Sequence, residues 1–157
     1  MDNINKELFK HGSCVVSFKG STLGATVDGP SFNIQPEYYE SKCDQAGGRI
    51  IRKIITNLKI NVAAEILEID NTLRRIFDSD GKITGALIGT DLLNDGGELT
   101  LIPTCKQDKT GYRFPNAILL PEADYQFKST EDHTMKVNFE IHENNDGVLM
   151  EKIACNS

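Results

Sequence analysis

Residues 31–77 constrain this chain more than any other stretch. They read as an extended segment over 31–41, a glycine-containing loop (Cys43-Asp44-Gln45-Ala46-Gly47-Gly48), and two further strands over 49–57 and 59–68. A short helix from Asp70 to Phe77 follows, closed by Asp80-Gly81. Two strands this long do not hold together in water as an isolated hairpin, so the pair needs a partner surface. Pro36 cannot donate to a central ladder, which predicts an edge or a bulge there. The segment 59–68 alternates cleanly. Leu58, Ile60, Val62, Ala64 and Ile66 point one way, and Lys59, Asn61 and Glu65 the other. The segment 49–57 does not: Ile50, Ile51, Ile54 and Ile55 come in pairs between basic residues. It reads either as a strand covered on both faces or as one that touches another subunit.

The remainder is predicted β. Residues 14–19, 99–102, 112–120, 125–128 and 148–154 are short extended pieces between turn signals. Asp28-Gly29-Pro30 and Asn94-Asp95-Gly96-Gly97 read as turns, and 83–88 as an apolar, glycine-bearing strand. The clearest strand is 133–143, where Met135, Val137, Phe139 and Ile141 alternate with polar residues. Asp70 is placed to cap the helix, with Leu73, Ile76 and Phe77 on its apolar stripe. Many short strands and one helix predict a mainly β chain, an antiparallel β-sandwich or barrel with one flanking α-helix. At 157 residues the chain reads as a single domain, 1–157, with 1–11 as a candidate N-terminal arm.

Chemistry is sparse. His133 and His142 are nine residues apart, an odd offset that sends them to opposite faces of one strand. The acids at Glu122/Asp124 and Glu131/Asp132 sit in turn contexts. Asp78-x-Asp80-Gly81 lacks the later ligands of a calcium loop. No phosphate-binding glycine motif and no nucleophile elbow occurs. These readings predict no catalytic residues, no metal and no cofactor. Cys14, Cys43, Cys105 and Cys155 fit no zinc spacing and read as free thiols, Cys14 as a small core residue. Residues 1–7 hold no apolar h-region, and no segment approaches a membrane helix, which predicts a cytoplasmic chain.

Charge is uneven. Residues 1–60 carry eight basic and six acidic side chains, and residues 61–157 nine and seventeen. That balance disfavours a nucleic-acid binder. Arg49, Arg52, Lys53 and Lys59 form the basic group that stands out. It reads as a solvated face or as a contact with an acidic patch on a neighbouring copy.

The order of elements resembles a major tail tube protein of a tailed bacteriophage or prophage, over residues 12–154. The resemblance is carried by Gly20-Ser21-Thr22-Leu23-Gly24, Asp44-Gln45-Ala46-Gly47-Gly48 and Ala64-Glu65-Ile66 before the helix. Further on come Leu99-Thr100-Leu101-Ile102-Pro103, Tyr112-Arg113-Phe114-Pro115-Asn116-Ala117 and Met135-Lys136-Val137-Asn138-Phe139. It implies a structural, non-catalytic subunit that forms hexameric rings stacked into a tube, with DNA passing through the lumen. It also implies assembly in the host cytoplasm, residence in a virion tail, and tape-measure and tail-terminator partners. Carried over by position, the loop 41–49 would reach a neighbouring subunit: Ser41, Lys42, Cys43, Asp44, Gln45, Gly47, Gly48 and Arg49, with Arg52 and Lys53 beside it. Residues 1–11 with Asn156 and Ser157 would link rings. Family lumens are usually acidic, and the basic region at 49–53 departs from that. A tube subunit of a contractile injection or type VI-like secretion machine, and a lipocalin-like ligand-binding barrel, are the rival readings.

Overall fold

The structure, a computed structural model, describes residues 4, 8–10, 12–73, 75, 77, 80–104 and 108–155. Among them nine strands form one antiparallel sheet. They are β1 (Cys14–Phe18), β2 (Ser21–Thr22), β3 (Thr26–Lys42), β4 (Ile50–Ile66), β5 (Gly97–Pro103), β6 (Thr110–Leu119), β7 (Asp124–Gln126), β8 (Thr134–His142) and β9 (Glu151–Ala154). The path runs β2-β1-β5-β6-β8-β4-β3, with β7 beside β8 and β9 beside β6.

The sheet curls so that one face encloses the core. Phe18 on β1 meets Phe139 on β8, with ring centroids 5.1 Å apart. Phe32 on β3 lies 6.0 Å from Phe114 on β6. Val16, Leu23, Val62, Ile66, Leu99, Met135 and Val137 fill the space between them. The path has two free ends, β2 and β3, and no strand pairing among the described residues joins them. The mainly β, antiparallel character is as the sequence pattern indicated, and the strands form one sheet that does not close.

The edge strand β3 is brought against the start of β1 at Asp28-Gly29-Pro30, which is not a turn. It is a bulge inside β3, with Asp28 at φ 57° and Gly29 at φ 75°. The register moves from Val27 opposite Glu65 to Ser31 opposite Ala63. A Cβ on Gly29 would stand 3.0 Å from Ser13 Oγ, just before β1, so glycine permits the close approach.

Other expectations shift. Residues 83–88 are not a strand: Gly85–Leu87 is a 3₁₀ turn whose start is held by Thr84 Oγ1. Asn94-Asp95-Gly96-Gly97 is not a hairpin turn, since Leu92–Asp95 is another 3₁₀ turn leading into β5. The helix α1 spans Ile69–Leu73, with Asp70 in its first turn and not at the cap. Arg74 and Ile76 lie outside the described residues, as do His11, Asp78, Cys105, Asn156 and Ser157. Of the candidate N-terminal arm, residues 4 and 8–10 are described, and Lys10 Nζ reaches Asp108 at 3.0 Å.

Cys14, Cys43 and Cys155 are free thiols. Burial against the core pushes the Cys14 thiol up to about 11. The unfolded chain ionises this thiol near pH 9 and the native chain only near 11. Stability from keeping it protonated is therefore present below pH 9 and lost as pH rises towards 11. Urea midpoints at pH 8 and pH 10.5 should fall less for Cys14→Ala than for the parent chain. Equal falls would mean that Cys14 is not the group responsible.

A candidate assembly interface on the β3–β4 arm

The predicted strands over 49–57 and 59–68 are one strand. β4 runs unbroken from Ile50 to Ile66, and β3 pairs with it along nearly its whole length. β8, however, pairs with β4 only between Ile60 and Ile66. Residues 50–59 of β4 thus have β3 alone as a neighbour, and the hairpin runs on past the sheet for about 30 Å. β3 is the edge strand, which is how Pro36 is tolerated at its place opposite Leu58.

Bulges explain why the isoleucines come in pairs. The register slips at Thr56, where Asn57 faces Glu37 but Ile55 faces Tyr38, and again between Ser41 and Lys42. Each extra residue sends the following side chains to the other face. The face that carries buried Val62 and Ile60 continues outward through Phe32, Ile34, Leu58, Tyr38 and Ile55. These are exposed, Tyr38 by 52% and Ile55 by 60%. The opposite face is polar near the sheet, with Asn33, Asn61, Gln35 and Lys59, and apolar again at Tyr39 and Ile54. The outer half of the arm therefore exposes apolar side chains on both faces. An apolar surface of this extent outside the core is the mark of a contact surface.

The tip is rigidly built. Asp44–Ala46 makes a 3₁₀ turn that closes in the left-handed region at Gly47 (φ 67°) and Gly48 (φ 77°). Gly47 N–H donates to Asp44 O at 3.0 Å, and Arg49 N–H to Ala46 O at 3.3 Å. The glycine pair is thus required by the turn. Ser41 and Cys43 are partly buried within it, and Lys42, Asp44, Gln45 and Arg49 are exposed.

The basic group does not act as one patch. Arg49 folds its Nε back onto Ala46 O at 2.9 Å. Lys53 lies 3.5 Å from Glu40 and 4.5 Å above the Tyr38 ring. Lys59 pairs with Glu37 at 3.0 Å and, by hydrogen bond and charge, holds that carboxyl below its usual range. Arg52 and Lys42 have no ion-pair partner among the described residues. Sequence reasoning singled out the tip, its cations and the paired isoleucines, Ile55 among them, but missed Tyr38, Ile34 and Leu58 as contact candidates. Their signal was present in the broken alternation, which marks bulges.

Elsewhere several polar side chains pair with one another. Arg113 on β6 bridges Glu98 on β5 at 3.0 Å and Glu151 on β9. His142 pairs with Glu140 at 2.6 Å, and His133 Nδ1 lies 3.0 Å from Tyr125 Oη. Among the described residues no group of three or more His, Cys, Asp or Glu is placed to hold a metal ion, and no helix is long and apolar enough to cross a membrane.

Searches against family models and curated proteins found no match. Among solved structures, the chain is similar to one from a cryo-EM structure of an extracellular contractile injection system, the PVC sheath-tube complex in its extended state. The TM-score is 0.54 at 14% identity, covering 90% of this chain and 89% of that one. At that identity the likeness is one of fold, a mainly β arrangement.

Proposed function

We propose that this chain is a non-catalytic structural subunit that polymerises into a hollow tube. The observation that carries the reading is the arm, which is too long to be stable alone and is apolar on both outer faces. A second copy covering it would both stabilise the hairpin and remove the free edge of β3. The fold likeness to a chain of a sheath-tube complex supports the same role. In the fuller form of the proposal, copies make hexameric rings that stack, as in a phage tail tube, with DNA as cargo. The tube would be assembled in a host cytoplasm and built into a virion tail with tape-measure and terminator proteins. A tube of a contractile injection machine is the second reading, favoured by the neighbour's own description. A lipocalin-like barrel is disfavoured because the interior is filled by Phe18, Phe114 and Phe139.

Negative-stain microscopy and light scattering of the purified chain test this. Rings or tubes are expected, and a strict monomer at high concentration overturns the proposal. Deleting residues 44–48 should abolish polymerisation and leave a folded monomer, read by circular dichroism and sedimentation. Polymers of the deletion variant would remove the tip from the interface.

A further inference from the structure

We propose that the arm of one copy docks on the opposite pole of the next, in the groove between residues 67–70 and 131–133, beside an exposed aromatic ledge. This rests on the self-assembly reading and names the receiving surface.

The two surfaces lie at opposite ends of one strand. The arm tip leaves β4 at Ile50, and the groove begins at Leu67, just past its other end at Ile66. Sixteen residues of extended chain separate them by about 50 Å. The groove holds about 810 Å³, between Glu68 and Asp70 on one wall and Glu131 and Asp132 on the other. Tyr125 and His133 complete its lining, and Phe127 packs on both, with ring centroids 4.7 Å (Tyr125–Phe127) and 5.2 Å (Phe127–His133) apart. Phe127 is 82% exposed, an apolar ring that the core does not use.

The arm supplies the complement. Residues 42–53 carry Lys42, Arg49, Arg52 and Lys53 against Asp44 alone, and Ile50 and Ile51 lie exposed among them. Lys42, Arg49 and Arg52 are the cations without an ion-pair partner on this tip, Arg49 donating instead to Ala46 O, and Asp70 and Asp132 are the groove acids without one, all counted among the described residues. Docking sets cation against carboxylate and apolar tip against aromatic ring, with an arginine free to lie on the Phe127 face. A tip of the same sign as its receiver would be repelled, which selects this pole of the molecule over the basic one. Each copy gives an arm at one end and receives one at the other. The contact is heterologous and propagates, and the charge halves of the sequence acquire a geometric meaning.

The experiment is zero-length carbodiimide cross-linking of the full chain at assembling concentrations, with isotope-mixed protein to mark links between copies. The expected products join Lys42 or Lys53 to Glu68, Asp70, Glu131 or Asp132. Charge exchange supplies the second readout. Arg52→Glu and Asp132→Arg should each raise the concentration for half-assembly by about tenfold or more, and their equimolar mixture should restore assembly. Assembly with arm links to other surfaces, or a mixture that stays as poor as its parts, overturns the docking and leaves the tube reading standing. A chain that never assembles overturns both.

Discussion

Tyr38→Asp combined with Ile55→Asp should eliminate self-assembly at concentrations where the parent chain polymerises, while leaving the monomer folded. The two side chains face each other across the arm, exposed, beyond the last pairing of β4 with β8. In the free monomer they contribute little burial, so the unfolding free energy from urea denaturation should change by less than about 1 kcal/mol. In an assembled interface each would bury an apolar surface worth roughly 2 kcal/mol. The aspartates would in addition bring two unpaired charges into a desolvated contact. A rise of at least about a hundredfold in the half-assembly concentration follows, read by sedimentation. Unchanged assembly would show that this face stays in water. An unfolded double variant would show that the arm belongs to the monomer's core.

Phe139→Ala should act in the opposite manner, on the monomer itself. Phe139 is wholly buried on β8 and packs its ring against Phe18 across the curl of the sheet. β8 sits at the centre, between β6 and β4, so the space left by the ring cannot be filled by a surface loop. The expected loss is about 3–5 kcal/mol, a large share of the ~5–15 kcal/mol of a typical domain. A fall of that size in the unfolding free energy from urea denaturation, with assembly lost as a consequence, is the predicted result. A loss below about 1 kcal/mol would mean the curl does not close over this residue. The two variants thus separate assembly from folding: one breaks contacts between copies, the other the contacts that make each copy.

The central strands were legible because their side chains alternate without interruption. Met135, Val137, Phe139 and Ile141 are the buried set on β8, as are Ile60, Val62, Ala64 and Ile66 on β4. Pro36 marked the edge strand for the same local reason, its missing N–H. The glycine pair at the tip was readable too, since Gly47 and Gly48 hold positive φ. Where the period broke, the reading failed. The break read between residues 57 and 59 is not the end of a strand: β4 continues through it, with a bulge at Thr56. Asp28-Gly29-Pro30 carried turn chemistry, but the edge strand absorbs it as a kink. Residues 83–88 had strand-like composition, yet they lie in a 3₁₀ turn and its flanks. Periodicity cannot tell an apolar loop from a strand that lacks a partner.

By itself, then, the amino-acid sequence determined a mainly β chain, its central strands and the glycine-closed tip. These are properties of neighbours along the chain, set by side-chain alternation and by backbone freedom at single residues. The curl that sets Phe18 on Phe139, the fusion of two predicted strands into β4, and the arm's exposed Tyr38–Ile55 face were decided by tertiary structure alone. They depend on which strand pairs with which and where that pairing stops. A strand's outer face is core or contact surface according to whether another strand lies over it, and no local pattern carries that information.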